Sequence, residues 1–132
     1  MMRWLSTLIA PMTPRKALGN RGEVVAARHL RRQGYKILMC NFEAAGGEID
    51  IVARKGELLV FVEVKTRRSG DVFKPYQQVN QRKRKALTRA ARVYLAHYKD
   101  SKPSCRFDVI SIVWPEQGEA EVEHITNAFE AE

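Results

Sequence analysis

The stretch Leu58-Leu59-Val60-Phe61-Val62-Glu63-Val64-Lys65 limits the fold of this chain more than any other segment. It is almost continuously apolar, rich in β-branched residues and bounded by a Lys55-Gly56 turn. Those features fit a strand with both faces buried, and such a strand sits centrally in a sheet with a covering layer on each side. The expected fold class is therefore α/β. The turn formers Ala44-Ala45-Gly46-Gly47 and Lys55-Gly56 divide the region after Tyr35 into three strands, near 35–43, 48–54 and 58–66, joined as hairpins.

Helical spacing brackets these strands. Asn20 stands three residues before Glu23, the spacing of a capping box, and Ala26, Ala27 and Leu30 follow at helical intervals up to Gly34. Further on, Val79, Ala86, Leu87, Ala90, Tyr94, Leu95 and Tyr98 keep a three-or-four spacing that predicts a long second helix. Arg106 to Trp114 reads as a fourth strand and Ala120 to Thr126 as a weaker fifth at an edge. The order is αβββαβ with an extra strand, in a single domain over 19–132. Residues 1–18, which carry Pro11 and Pro14, read as a loose leader.

Ionisable residues occupy strand positions where they are energetically awkward. Glu63 and Lys65 end the most apolar strand, and a period of two puts both on one face. Glu48 and Asp50 share a face of the preceding strand, and adjacent strands can bring Asp50 beside Glu63. Buried charges of this kind need a partner or a metal. A hard divalent cation, Mg²⁺ or Mn²⁺, takes carboxylate oxygens, water and a substrate phosphate, and Lys65 beside it can stabilise charge on that phosphate. For a lone Glu-x-Lys the competing structural reading, a buried salt bridge, is the stronger one. Likewise Glu23 can serve as the capping-box partner of Asn20, and Glu48 can simply be solvated or paired with an arginine.

Charge adds a partner class. The chain carries 23 Lys and Arg against 15 Asp and Glu, a formal charge of +8. Residues 1–99 hold 21 basic and 7 acidic side chains, whereas residues 100–132 hold 2 and 8. A basic body with an acidic tail suits a polyanion. On the second helix Arg82, Lys85, Arg89 and Arg92 form one stripe opposite the apolar face, with no acidic partner one turn away, while Lys83 falls on the apolar side. The stripe can neutralise phosphates or be an ordinary solvated face. The loop 67–78 combines Arg67, Arg68 and Lys74 with Phe73 and Tyr76, offering charge for phosphates and rings for exposed bases. His29, His97 and His124 lack ligand spacing and receive no chemistry, and Trp4 and Trp114 read as core or interface residues. Cys40 and Cys105 are too few for a disulfide framework and read as reduced thiols. No run reaches the roughly 18 apolar residues of a membrane span, so a cytoplasmic location without membrane partners is expected.

Several whole phrases carry a resemblance. Gly22-Glu23 with Ala26 and Ala27, then Gly47-Glu48-Ile49-Asp50-Ile51-Val52, then Phe61-Val62-Glu63-Val64-Lys65-Thr66-Arg67, then a helix with Lys83 that runs through Ala90-Ala91 to Tyr94-Leu95, are similar to the YraN-type bacterial family. That family is regarded as a branch of the PD-(D/E)XK nuclease superfamily, related to Holliday junction resolvases. The resemblance covers about residues 18–126 in order. It implies a restriction-endonuclease-like αβββαβ core, a mixed sheet flanked by helices. By position it makes Asp50 the motif aspartate, Glu63-Val64-Lys65 the (D/E)XK tripeptide and Glu23 the helix-one glutamate that often completes the metal site. Asp50, Glu63, Lys65 and Glu23 are then the catalytic candidates, and Asp50, Glu63, Glu48 and Val64 the metal candidates. Arg67, Arg82, Lys83, Lys85, Arg89 and Arg92 are the nucleic-acid candidates. Ile49 stands where the motif has proline, which removes no ligand.

The leading expectation is a Mg²⁺- or Mn²⁺-dependent endonuclease, or structure-specific DNA-processing protein, that cleaves phosphodiesters by metal-activated water. The alternatives are a non-catalytic nucleic-acid-binding module of the same fold and a protein-interaction domain. DNA is the expected partner, and by analogy with junction resolvases, whose two-fold substrates suit paired sites, so is a second copy of the chain.

Overall fold

The computed structural model describes residues 21–70, 79–99 and 103–132. Its elements are α1 (Arg21–Arg32), β1 (Lys36–Ala44), β2 (Gly47–Lys55), β3 (Leu58–Arg68), α2 (Gln81–Ala96), β4 (Ser104–Trp114) and β5 (Glu121–Phe129). Sheet order follows chain order, β1-β2-β3-β4-β5. Tight turns make β1, β2 and β3 antiparallel neighbours. β4 runs parallel to β3, which needs a crossover, and α2 lies in that crossover. β5 returns antiparallel at the edge. The result is an α/β fold with a mixed sheet and a helix against each face, as in a restriction-endonuclease-like core.

β3 is the middle strand, and its side chains alternate between two cores. Leu59 and Phe61 pack with Leu87, Ala90, Ala91 and Tyr94 of α2. Val60 and Val62 pack with Ala26, Ala27 and Leu30 of α1. This is why an unbroken apolar run is needed: from Leu59 to Val62 neither face of β3 meets water. Full burial of each of these aliphatic side chains contributes about 1.5–3 kcal/mol.

Differences from the sequence expectations lie at element ends. α2 begins at Gln81, capped by Asn80, whose Oδ1 accepts from the Lys83 amide at 2.9 Å. No capping-box signal marks this start in the sequence, because Lys83 occupies the position where Glu or Gln would complete one. β4 starts two residues earlier than expected, and β5 extends to Phe129, which stacks on Phe107. The leader 1–18, Asn20 and the loop residues Phe73, Lys74 and Tyr76 lie outside the described residues. Cys40 and Cys105 are free thiols. Among the described residues no helix is long and apolar enough to cross a membrane.

Gly47 fixes how closely the β1–β2 hairpin approaches α2. A Cβ at Gly47 would run into the backbone carbonyl of Ala86, which moves only if the helix moves. Gly47→Ala is therefore expected to cost about 1–3 kcal/mol in unfolding free energy, read from denaturant midpoints. Gly22→Ala meets the Thr66 side chain instead, a group near the surface that can rotate, and its cost is expected to be smaller.

Candidate metal centre and nucleic-acid interface

The site forms where two strands part. The β2–β3 ladder runs from the Lys55–Leu58 pair to the Ile51–Val62 pair and ends there, one position short of Asp50 and Glu63. Beyond that point the Val64 amide donates to Asp50 Oδ2 at 2.8 Å, a side-chain acceptor standing in for a ladder carbonyl. Asp50 and Glu63, the next residues on the two strands, line one cavity, with their carboxyls close enough to act on each other. Gly22 packs on Val64 and Thr66, which sets the first turn of α1 against the end of β3 and brings Glu23 in. One carboxylate oxygen from each of Glu23, Glu48 and Asp50 lies within 4.8 Å of the others. Glu63 is only 3% exposed. Its Oε2 lies 3.2 Å from Lys83 Nζ and 4.0 Å from Lys65 Nζ.

Glu23, Asp50, Glu63, Val64, Lys65 and Lys83 line a polar cavity of about 280 Å³, whereas Glu48 faces the neighbouring cleft. An octahedral Mg²⁺ with bonds near 2.1 Å keeps its ligand oxygens roughly 3–4 Å apart. The donor set is all oxygen, which suits a hard cation. Of the residues expected to ligate a cation, Asp50 and Glu48 converge, joined by Glu23, whereas Glu63 stands outside that trio against Lys83 and Lys65. Val64 enters through its backbone, by orienting Asp50.

Without a cation the carboxyls crowd one another. Burial, then the hydrogen bond and charge of Glu63, with Glu23 adding to them, push the Asp50 carboxyl up to about 9, against a smaller opposing pull from the Val64 amide. The folded protein therefore holds a proton on Asp50 that the unfolded chain loses near pH 4. Because the folded value is the higher, Asp50 favours folding at low pH, and that contribution is lost as pH rises toward 9. In divalent-free buffer the wild type is expected to lose stability from pH 5 to pH 9, with Asp50→Asn showing a flatter profile. Unfolding free energies across that range check it, and parallel profiles would refute it.

The comparisons with known proteins agree with the resemblance drawn from the motifs. The model of the Uncharacterised protein family UPF0102 matches residues 22–112. A UPF0102 protein of Geobacter metallireducens is 49% identical over 115 residues, covering 87% of this chain and 93% of its own. One from Syntrophomonas wolfei is 46% identical over 114 residues, covering 86% and 98%. The chain belongs to the UPF0102 family.

The UPF0102 match takes in every candidate residue. It begins at Gly22, beside Glu23, and extends through α2 into β4. On α2, Arg82, Lys85, Arg89 and Arg92 are all exposed, and none has a salt-bridge partner among the described residues. Arg89 also donates from Nε to the Ala45 carbonyl at 3.0 Å, tying the helix to the β1–β2 turn. Lys83 departs from the stripe and points to the carboxylates. Arg67 lies on β3 beyond Lys65, half-buried. A second, larger cleft of about 820 Å³ opens between the β1–β2 turn and α2, lined by Glu43, Glu48, Arg82 and Lys83 among others. Lys83 lines both cavities.

A second polar cluster carries no signal in the sequence. Asp108, 0% exposed, accepts from Arg106 Nε and Nη2, from His124 Nε2 and from the Asn127 amide. Burial alone would raise the Asp108 carboxyl, but the bonds from His124, Arg106 and Asn127 outweigh it and hold the carboxyl below its ordinary range. On its other side, His124 Nδ1 stands 3.3 Å from His29 Nε2. The two histidines thus tie α1 to β5, a structural role. His29 and His124 are 95 residues apart, so no local spacing could have announced the pair.

Proposed function

We propose that this UPF0102 protein is a divalent-cation-dependent phosphodiesterase acting on nucleic acid, with DNA as the favoured substrate and Asp50, Glu63, Lys65 and Glu23 as its catalytic group. The single observation that carries this reading is the convergence of Glu23, Glu48 and Asp50 within 4.8 Å of one another, beside Glu63 and Lys65. A buried salt bridge would explain Glu63 and Lys65 alone. It does not explain why Glu23, Glu48 and Asp50 meet at one point from α1 and β2.

When bound, Mg²⁺ or Mn²⁺ would polarise the phosphoryl oxygen and activate the attacking water. Asp50, Glu48, Glu63 and Glu23 would hold the ion, and the Val64 amide keeps Asp50 oriented through its 2.8 Å bond. Lys65 neutralises charge that develops on the scissile phosphate. The exposed cations of α2, with Arg67, grip neighbouring phosphates without regard to sequence. A protein-interaction role has less support, because it leaves the carboxylate cavity without a purpose.

Duplex, single-stranded and branched DNA incubated with Mg²⁺ or Mn²⁺ provides the test. Cleavage of at least one substrate by wild type and none by Asp50→Ala is expected. Equal cleavage by both would remove the active-site assignment, and binding without cleavage would leave a nucleic-acid-binding module of the same fold. A second copy of the chain is proposed for two-fold substrates, and sedimentation with and without branched DNA checks it.

A further inference from the structure

Among the described residues, Lys83 is the cation that borders both cavities. Asn80 caps the first turn of α2 and fixes the Lys83 backbone there, and the side chain reaches Glu63 across the mouth of the carboxylate cavity. The pair is uneven. Glu63 is nearly fully buried, whereas the Lys83 side chain is 39% exposed and also lines the larger cleft beside Arg82. Although Lys83 Nζ stands 3.2 Å from Glu63 Oε2, that oxygen makes no hydrogen bond among the described residues. The charge of Glu63 is thus balanced while the lone pairs of Oε2 are not satisfied, and a buried oxygen in that state retains the capacity to bind a better ligand.

From this geometry we infer that Lys83 is a transferable counter-ion that couples cation binding to phosphate binding. In the cation-free protein it neutralises Glu63. A divalent cation among the carboxylates takes over that role and releases the Lys83 ammonium to a phosphodiester phosphate in the adjoining cleft. The inference rests on the cation-dependent reading of the site and adds its regulation: nucleic acid binds weakly until the cation is present. The side chain needs to swing only from one cavity wall to the other, and lysine, a point charge on a flexible stem, suits that movement better than arginine. Because linkage is reciprocal, nucleic acid must tighten cation binding by the same factor.

Two titrations on the full chain test this, Ca²⁺ binding by calorimetry and binding of a labelled short duplex by anisotropy, each with and without the other ligand. In wild type, saturating Ca²⁺ is expected to tighten duplex binding by about tenfold, and duplex to tighten Ca²⁺ binding equally. Lys83→Met removes the competing charge. It should bind Ca²⁺ several-fold more tightly in the absence of duplex, and its coupling should fall to less than about a third of the wild-type factor. Glu63→Gln releases Lys83 by the other route and should raise duplex affinity several-fold without Ca²⁺. This variant decides the matter by itself if Lys83→Met does not fold. Unchanged Ca²⁺ affinity and undiminished coupling in Lys83→Met would overturn the inference while leaving the cation site standing, as would unchanged cation-free duplex affinity in Glu63→Gln. Failure of wild type to bind Ca²⁺ any better than Asp50→Asn would overturn the cation site and the inference together.

Discussion

Asp50→Asn is expected to reduce phosphodiester cleavage by about 10³-fold or more while duplex affinity measured without divalent ions changes by less than about threefold. The substitution keeps the shape of the side chain and can keep an acceptor for the Val64 amide, so the parting of β2 and β3 should survive. It removes a carboxylate that lies near both the Glu23–Glu48 side of the cluster and Glu63. Lys65→Ala should produce the same separation, because its ammonium acts on one phosphate and matters most as charge develops there. Single-turnover cleavage and anisotropy titration on the same preparations check both variants. A parallel loss of affinity and cleavage would show that the carboxylate cavity binds substrate rather than transforms it.

Replacing Arg82, Lys85, Arg89 and Arg92 together with Gln should weaken duplex binding by about a hundredfold at about 50 mM salt, for all sequences alike. Each neutralised phosphate releases a condensed counterion, so the slope of log affinity against log salt should flatten by about 1 for each phosphate that the variant no longer neutralises, up to about 4. Glutamine preserves helix propensity, and the four side chains are exposed, so the fold should tolerate the change. Of the four, Arg89 has a structural tie, to the Ala45 carbonyl, and any loss of thermal stability should trace to that position. An unchanged slope would move the grip to the basic residues at the end of β3, Arg67 and Arg68. Cleavage at saturating substrate should be retained, which distinguishes these residues from Asp50 and Lys65.

Local physics made much of the protein legible in its sequence. An apolar run too dense to expose a face forces β3 to the sheet centre, and period two then puts Glu63 and Lys65 side by side. Periodicity of 3.6 set the buried faces of both helices, with Ala26, Ala27 and Leu30 on one and Leu87, Ala90 and Tyr94 on the other. The phrases around Gly22, Asp50 and Glu63 were specific enough to identify the family before any contact was known.

Tertiary structure decided what no spacing encodes. β2 and β3 part after Ile51 and Val62, where the Asp50 side chain takes the Val64 amide, and α1 and α2 approach the sheet closely at Gly22 and Gly47. Glu23 had an adequate local explanation as a capping residue, and only the packing of α1 on the end of β3 brings it to Glu48 and Asp50. Lys83 stands apart from the cationic stripe in the sequence, but its partner Glu63 follows only from the placement of α2, and the contact of His29 with His124 only from the return of the edge strand toward α1. In each case the energy of a charge depends on its distance to other charges and to water. The sequence by itself determined which residues carry charge and which face each occupies, whereas those distances are set by contacts between residues far apart in the chain.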